Sequence, residues 1–318
     1  RGVSYWGEED EKQILFTAGN WLMALNALTG EPILTFGDQG KVDLRKELDT
    51  DLEDFLIVSN SPGVVFEDKL ILGMRLSEGL DAAPGHIRAY NVRTGKREWI
   101  FHTNPQAGEE GYKTWDPKYI KNMGGANNWA GMTLDYTRGI IFVPTGSATY
   151  DFWGGYRNGD NLYANSLLAL DARTGKRIWH FQAVHHDIWD RDFPANPNLI
   201  RIQKDGQWID AVAQISKQGY TYVFERETGK PVWPIVETPV TQTQMPGEVS
   251  SETQPIPTLP EPFMSLVYVE ESILNLSPEW EKDIRSQLSN AIFGDTWAPP
   301  HPEKSLVLFP GMDGGGEW

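Results

Sequence analysis

The segment "ALDARTGKRIW", residues 169–179, places an apolar stretch before a threonine-glycine turn and a tryptophan shortly after it. The same pattern aligns without gaps in "ALNALTGEPIL" (24–34), "AYNVRTGKREW" (89–99) and "VFERETGKPVW" (223–233), of which only the first lacks the tryptophan. Alternating apolar residues on both sides of a turn in which glycine allows positive φ are typical of a β-hairpin. The four segments therefore predict a repeated hairpin.

The repeats are irregularly spaced, with their turn threonines at 29, 94, 174 and 228. These intervals exceed the roughly 40–45 residues of a minimal four-stranded propeller blade, so long loops must interrupt the repeat. Sheets that repeat radially with loops on one face form a β-propeller. We therefore predict a single all-β domain over residues 1–318, in which most of the 13 tryptophans pack between neighbouring blades.

Shorter patterns add further elements to this prediction. Apolar runs predict strands within 68–74, 139–146, 210–216 and 305–311. The segment "SPEWEKDIRSQLSN" (277–290) predicts a helix, with Ser277 as its N-cap and Pro278 in its first position. The proline-rich stretch 238–262 that precedes it predicts an extended surface loop.

Composition excludes several classes of function. The formal charge of −16 argues against nucleic acid as a partner, because proteins bind its phosphates through lysine and arginine. The absence of cysteine excludes disulfides, thiolate metal sites, thiol nucleophiles and a covalently attached c-type haem within this chain. No apolar run reaches the length of a membrane helix. Because the chain begins at Arg1 and ends in a glycine-rich turn, we expect it to be a fragment.

Three longer motifs accompany the repeats: "GGANNWAGMTLD" (124–135), "VHHDIWDRDFPANP" (184–197) and "AQISKQGYTYVFERETGKPV" (213–232). In their order and spacing, over essentially the whole chain, they resemble the pyrroloquinoline quinone (PQQ)-dependent dehydrogenases, most closely the glucose dehydrogenase-like branch. The resemblance implies an eight-bladed propeller with PQQ near its axis, of which this incomplete domain would supply about five blades. It also implies oxidation of a sugar or alcohol by hydride transfer to PQQ.

The segment "HHDIWDRD" (185–192) holds the candidate base. In an extended segment Asp190 and Asp192 would share a face while His185 and His186 point apart, which argues against a zinc site in a hydrolase. The resemblance identifies the base that takes the substrate's hydroxyl proton as Asp190. Asp187 is expected to be structural, capping a turn.

The resemblance also implies the residues that contact PQQ. Lys217 would place an ammonium beside the quinone oxygens and stabilise the charge that develops on reduction, although a lysine at a strand end could equally be solvated. Trp129 would stack on the flat cofactor, although it could also be a docking tryptophan, and Asn127 would hydrogen-bond the cofactor's edge. Ser59 and Arg1 match further contacts, and Arg1 would pair with a cofactor carboxylate.

A divalent cation that polarises the quinone is the other implied group, and calcium prefers hard oxygen ligands. The expected ligands are Glu78, Ser147, Thr149, Asp190 and Asp192. Ser147 falls where methanol dehydrogenases have an asparagine, and Thr149 matches the glucose branch better. In rare-earth relatives an aspartate two places after the base completes the metal shell, so the spacing of Asp192 also permits a lanthanide.

A competing hypothesis is a non-catalytic propeller of the same repeat type that acts as an assembly scaffold. Such a scaffold keeps the blade tryptophans but needs no base, metal carboxylate or quinone lysine, so the joint presence of these residues favours the enzyme. The resemblance implies a periplasmic location, with membrane association only through a segment outside this chain. Electrons would pass to a quinone or a separate cytochrome.

Overall fold

The computed structural model describes residues 2–50, 56–274 and 276–316, and Arg1 lies outside them. Strands dominate the described residues, and they form antiparallel sheets whose strands mostly follow one another along the chain. The first sheet is four-stranded and contains β1 (Ser4–Glu8), β2 (Glu11–Ala18), β3 (Trp21–Asn26) and β4 (Lys41–Asp43).

Two further four-stranded sheets follow in the chain. Residues 57–101 contain β5 (Ile57–Val58), β6 (Val64–Phe66), β7 (Lys69–Leu72), β8 (Arg75–Leu76), β9 (Ile87–Asn91) and β10 (Arg97–Phe101). The second sheet has the order β10-β9-β7-β6, while β5 and β8 pair separately. The third sheet contains β11 (Thr133–Asp135), β12 (Ile140–Pro144), β13 (Ser166–Asp171) and β14 (Arg177–Gln182).

The rest of the described chain has smaller sheets. The fourth is three-stranded, with β15 (Asn198–Lys204), β16 (Gln207–Ile215) and β17 (Thr221–Glu225). Two pairs follow: antiparallel β18 (Ile235–Pro239) with β19 (Thr253–Pro257), and parallel β20 (Ile292–Phe293) with β21 (Leu306–Val307). Short 3₁₀ turns lie at Tyr112–Thr114, Ile120–Asn122 and Glu270–Ser272.

The first four sheets are stacked face to face, because their middle strands are apolar on both sides. In β12, Phe142 belongs to the cluster shared with the fourth sheet, while Ile141 and Val143 belong to the one shared with the second. Likewise, Leu70 packs towards the first sheet and Ile71 towards the third. This period-two alternation places an apolar layer between each successive pair of sheets and confirms the predicted propeller architecture. The number of blades stays a prediction.

The threonine-glycine turns join these sheets to one another. Trp99 donates its indole N–H to the Ala172 carbonyl at 3.2 Å, and Trp179 donates to the Arg226 carbonyl at 2.9 Å. Each ring lies against the turn glycine of the next repeat, Gly175 or Gly229, where a Cβ would come within 2.5 Å of the ring. Both tryptophans therefore dock one sheet on the next, as predicted.

The hairpin prediction is only partly correct after the turns. Full strands follow the second and third turns, whereas the first and fourth are followed by single bridges, Leu25 to Pro32 and Phe224 to Pro231. Proline has no backbone N–H to donate to a ladder, so it prevents the pairing from continuing. The repeat sequence is shared, but proline ends two of the four hairpins early.

The region after residue 234 contains the predicted helix and the predicted proline-rich loop. Helix α1 spans Pro278–Leu288, and the Ser277 hydroxyl accepts from the Trp280 N–H at 3.2 Å, which confirms the predicted helix and cap. The prediction of a surface loop over 238–262 is wrong in part, because β19 lies within it, is mostly buried and pairs with β18 in a two-stranded sheet that tolerates their prolines. Among the described residues, no helix is long and apolar enough to cross a membrane.

Candidate active site

The loop 185–192 is held in a compact turn by Asp187. Its carboxylate accepts from the Trp189 N–H at 2.9 Å and the Arg191 N–H at 2.6 Å, and from the Ser147 hydroxyl. Asn165 donates to the same carboxylate at 2.7 Å. With both oxygens occupied and only 2% exposure, Asp187 organises the loop, as the sequence suggested.

Two carboxylates of the loop converge on one lysine. Lys217 Nζ lies 2.9 Å from Asp190 Oδ2 and 3.1 Å from Asp192 Oδ2. The loop is not the extended segment assumed from the sequence, because Asp190 has a φ of 58°. Asp190 and Asp192 nevertheless face the same side. The side chain of Asp190 is 26% exposed, whereas those of Lys217 and Asp192 are 7% and 9% exposed, so Asp190 is the acid that a small molecule can reach.

The two histidines of the loop have separate partners. The ring of His185 lies between Gln182 and Glu237, whereas the buried ring of His186 contacts Glu248 and the Gly159 carbonyl. They do not point to a common centre. This arrangement excludes a shared zinc ion and with it the hydrolase hypothesis.

Trp129 completes this group from the loop before β11. Its indole N–H donates to Asp192 Oδ2 at 3.0 Å, and Lys217 Nζ lies 5.8 Å from the ring centroid. The other oxygen of Asp192 accepts from the Ser147 N–H at 2.6 Å. Asp192 therefore fixes both the ring and the lysine, and the partly exposed indole lies beside the ammonium as a flat surface.

Burial and like charges dominate the electrostatics of the site. Burial, followed by the charge of Asp192, raises the pKa of Asp190 to about 9, although Lys217 opposes the shift. Burial lowers the pKa of Lys217, but Asp192 and Asp190 outweigh it and raise that pKa above its ordinary value. The ammonium thus remains charged, and Asp190 is the carboxyl that most readily holds a proton.

Asp151 is a member of this group that the sequence analysis missed. It is 5% exposed, and burial together with the charges of Asp192, Asp187 and Glu78 raises its pKa to about 7. Its position two residues after Thr149, in "TYD", was the available signal. Since several carboxylates disfavour one another's ionisation, the site has an excess of negative charge that a cation would neutralise.

The predicted metal ligands are not gathered into one cluster. Among residues 2–50, 56–274 and 276–316, no three aspartate, glutamate or histidine side chains are close enough to hold a metal ion. Glu78 is exposed, and Thr149 is buried beside Gly124. The hydroxyl of Ser147 donates to Asp187 and accepts from Asn165 at 3.1 Å. The oxygen-rich set is chemically suited to calcium.

The predicted cofactor contacts lie around Trp129. Asn127 donates to the Met74 carbonyl at 2.8 Å, and no described residue donates to its Oδ1. The Ser59 hydroxyl lies 3.1 Å from the Ser61 and Gly73 carbonyls, and Ser61 in turn donates to the Trp129 carbonyl at 2.9 Å. Ser59 therefore belongs to the loop that supports the indole.

The glycine-rich turn near the end of the chain closes the other side of the lysine. The guanidinium of Arg191 donates to the Pro310 and Gly311 carbonyls, each at 2.8 Å. The Gly315 N–H donates to the Lys217 carbonyl at 3.0 Å. Both Arg191 and Lys217 are buried, so this turn fixes the two segments that carry Asp190 and Lys217.

Comparison with known proteins identifies relatives with this arrangement of sheets. Residues 1–318 match the family described as PQQ glucose/ethanol/alcohol dehydrogenase, β-propeller domain. The chain is 34% identical to quinoprotein glucose dehydrogenase A of Acinetobacter calcoaceticus, over 93% of this chain and 38% of that protein. It is 33% identical to the quinate/shikimate dehydrogenase (quinone) of Acinetobacter baylyi, over 95% of this chain and 37% of that protein.

A solved structure agrees with these sequence matches. The quinohemoprotein alcohol dehydrogenase of Comamonas testosteroni superposes with a TM-score of 0.63 at 26% identity, covering 81% of this chain and 38% of that one. The chain thus spans less than two fifths of the length of these relatives. On the family match and the sequence identities, the chain belongs to the PQQ-dependent glucose, ethanol and alcohol dehydrogenase β-propeller family.

Proposed function

We propose that the full-length protein is a PQQ-dependent dehydrogenase that oxidises a CH–OH group of a sugar or alcohol, with Asp190 as the general base. The observation that carries this proposal is the contact of one buried ammonium, Lys217, with both Asp190 and Asp192 beside the face of Trp129. A scaffold needs no such group, whereas a partly exposed carboxylate with a shifted pKa beside a buried ammonium is the kind of arrangement that clusters at active sites.

The residues present are suited to PQQ, a flat tricyclic quinone with carboxylates. Trp129 offers a partly exposed indole face, Asn127 offers an unused acceptor oxygen, and Lys217 offers its ammonium. Ser59 and Arg1 are further proposed contacts, the latter for a carboxylate. When bound, PQQ supplies the acceptor of the hydride.

Asp190 is suited to take the hydroxyl proton of a substrate. It is the more exposed of the two carboxylates on Lys217, so a substrate hydroxyl can come within hydrogen-bond distance of it, as a general base requires. Lys217 keeps its charge and can donate hydrogen bonds to an oxygen that gains negative charge. Asp192 holds both Lys217 and Trp129 in place and thereby orients the two groups around the base.

We propose calcium, another divalent cation or a lanthanide as the second group of the site. Glu78, Ser147, Thr149, Asp190 and Asp192 would hold it through oxygen atoms. Its chemical contribution would be that of a Lewis acid. The support for a cation is the group of neighbouring carboxylates, whose charges add to burial in raising the pKa values of Asp151 and Asp190.

The substrate, electron acceptor and location are inferred from the relatives. Their names include glucose, quinate/shikimate and alcohol dehydrogenases, so a small hydroxylated molecule is the proposed substrate. We propose a quinone or a separate cytochrome as the acceptor; the relative from Acinetobacter baylyi is named as a quinone-linked dehydrogenase. We propose a periplasmic location, with membrane association only through a segment outside this chain.

The proposal is tested with the full-length protein reconstituted with PQQ and calcium. We expect reduction of an artificial dye when an aldose, a primary alcohol or quinate is supplied, and none without PQQ. Dye reduction would be followed by absorbance over a range of substrate concentrations. If saturating PQQ and metal support no reaction with any of the three classes, the scaffold hypothesis replaces this one.

A further inference from the structure

A buried carboxylate far from the base in sequence joins three segments behind the active-site loop. Glu248 lies between β18 and β19. Its Oε1 is 2.6 Å from His186 Nε2, and its Oε2 accepts from the Gly154 N–H at 2.6 Å. The side chains of Glu248 and His186 are each 1% exposed. Glu248 therefore fastens the segment 245–250 to the loop that follows Asp151 and to the loop that carries Asp190.

The hydrogen-bond pattern defines how this pair is protonated. His186 Nδ1 lies 2.8 Å from the Gly159 carbonyl, which can only accept, so Nδ1 carries a proton. Burial raises the pKa of Glu248, but the bonds from His186 and Gly154 outweigh it and lower that pKa. The two oxygens of this carboxylate thus face His186 Nε2 and the Gly154 N–H, respectively. Every polar atom of the pair is used, so the ring has one allowed orientation.

The orientation of His186 determines the start of the turn that contains the base. His186 has a φ of 46°, and the next residue, Asp187, has its carbonyl bonded by the buried guanidinium of Arg157 at 2.5 Å. The carboxylate of Asp187 then holds the backbone on both sides of Asp190. A displacement of His186 would therefore also move Asp190, because hydrogen bonds hold the backbone between them in one conformation.

We propose that Glu248 is a positioning residue, which acts through His186 to hold the loop 185–192 in the conformation that presents Asp190 to the substrate. This inference rests on the proposed function. In the part of the chain that the structure describes, the segment 245–250 makes no hydrogen bond to Asp190 or Trp129, yet the inference assigns it a role in the chemistry. Small displacements of a reacting group are costly, since about 1 Å can reduce a rate by roughly 100-fold.

The test compares substitutions of Glu248 that keep or remove its two hydrogen bonds. In Glu248→Gln the amide oxygen can accept from Gly154 and the amide nitrogen can donate to a neutral His186, so kcat should stay within about threefold of wild type. Glu248→Ala loses both bonds, and Glu248→Asp is one methylene too short to span them. In both, kcat should fall at least about tenfold while KM stays nearly constant.

A matched control comes from the neighbouring histidine. Glu237 pairs with His185 at 3.1 Å on the exposed side of the same loop, so Glu237→Ala should leave kcat unchanged. Wild-type kcat in Glu248→Ala and Glu248→Asp would overturn the proposal. So would a Glu248→Gln variant as slow as Glu248→Ala, because its hydrogen bonds are intact.

A second measurement does not depend on turnover. Amide hydrogen exchange of a peptide covering 186–192 should be faster in Glu248→Ala and Glu248→Asp than in wild type and Glu248→Gln. In the first two variants the acceptor of the Trp189 and Arg191 amides would no longer be held in place. Unchanged exchange would overturn the positioning role. A wild-type enzyme with no substrate-dependent activity would instead overturn the proposed function, and the two failures are therefore distinguishable.

Discussion

At the scale of single residues, Asp190 combines an unusual backbone with an unusual environment. Its φ of 58° lies in the left-handed region, which aspartate and asparagine tolerate better than other non-glycine residues. The carboxylate reaches Lys217 from this conformation while staying partly exposed. An aspartate at this position therefore meets both the backbone and the chemical requirement.

Asp190→Asn separates these two requirements. Asparagine also tolerates positive φ, so the loop should keep its shape, but an amide cannot take the hydroxyl proton. Turnover by the reconstituted full-length enzyme should fall at least ~100-fold, the usual contribution of general base catalysis. Steady-state dye reduction measures the loss, and circular dichroism checks the fold.

The control for this prediction is Asp187→Asn. Asp187 organises the turn, so its variant should lose stability more than intrinsic activity. An inactive, folded Asp187→Asn beside an active Asp190→Asn would show that the base lies three residues earlier.

Asp192→Ala tests the predicted metal shell. The change removes a carboxylate, which costs a trivalent ion more attraction than a divalent one. Metal affinity should therefore fall for both ions, and more for a lanthanide than for calcium, when each is titrated by calorimetry in the presence of PQQ. Equal metal affinities in the variant and wild type would show that Asp192 is not a metal ligand and only holds Trp129 and Lys217 in place.

The sequence and its resemblance identified the residues that the structure places together around Lys217. They did not identify Asp151, Arg157 or Glu248. These side chains reach the site from segments tens of residues away, and no local pattern encodes which distant loops meet. Motif spacing is informative along a segment, whereas a contact such as that of Glu248 with His186 depends on the completed fold.

At the scale of elements, the turn glycines are docking surfaces as well as turns. Gly229 has a φ of +69° and lies under the ring of Trp179, where a Cβ would be 2.5 Å from the nearest ring atom. Gly30 occupies the same place in the first repeat with a φ of +75°, and nothing lies within 4 Å of its Cβ position. The two positions differ in packing but not in backbone conformation.

Gly229→Ala should therefore be more destabilising than Gly30→Ala. Both variants incur the conformational cost of alanine at positive φ, but only Gly229→Ala overpacks the interface with Trp179. The difference in the free energy of unfolding should be about 2 kcal/mol. Urea denaturation would measure it, and equal losses at the two positions would show that the ring is free to move aside.

Element boundaries were predictable where the signal was local. The Ser277 cap with Pro278 predicted helix α1, an apolar run predicted β12, and the repeat before the threonine-glycine turn predicted β13. The prolines were harder to interpret. At Pro32 and Pro231 they ended predicted hairpins, whereas in β18 and β19 they occur in a sheet that no burial pattern had indicated. The pairing of these two strands depends on tertiary neighbours such as Tyr222, which composition does not reveal.

At the scale of the whole molecule, Asp135 links the third and fourth sheets. It is 4% exposed and accepts from Arg138 and Arg226, each at 3.0 Å. Burial raises the pKa of Asp135, but its bonds with Arg226 and Arg138 outweigh it and lower that pKa below its usual value. The ion pairs therefore contribute stability while Asp135 is ionised.

Asp135→Asn should lower the free energy of unfolding by about 2 kcal/mol at pH 7, because charge-assisted hydrogen bonds from two partly buried guanidinium groups, those of Arg138 and Arg226, are lost. An aspartate whose pKa is lowered by folding stabilises above its unfolded value of about 4, and this stability is lost as the pH falls through the folded pKa. The difference between wild type and variant should thus shrink below about pH 4. Denaturation midpoints at pH 7 and pH 3 would test this, and a pH-independent difference would contradict it.

The contacts of Arg191 with Pro310 and Gly311, and of Gly315 with Lys217, also determine an order of events during synthesis. A polypeptide leaves the ribosome from its amino end, so the segments bearing Asp190 and Lys217 emerge well before the glycine-rich turn that fixes them. Until translation has passed Gly315, Arg191 lacks its acceptors and the lysine segment has one side uncovered. The segments that carry Asp190 and Lys217 therefore reach their final geometry only after the sheets that precede residue 310 in this chain have been synthesised.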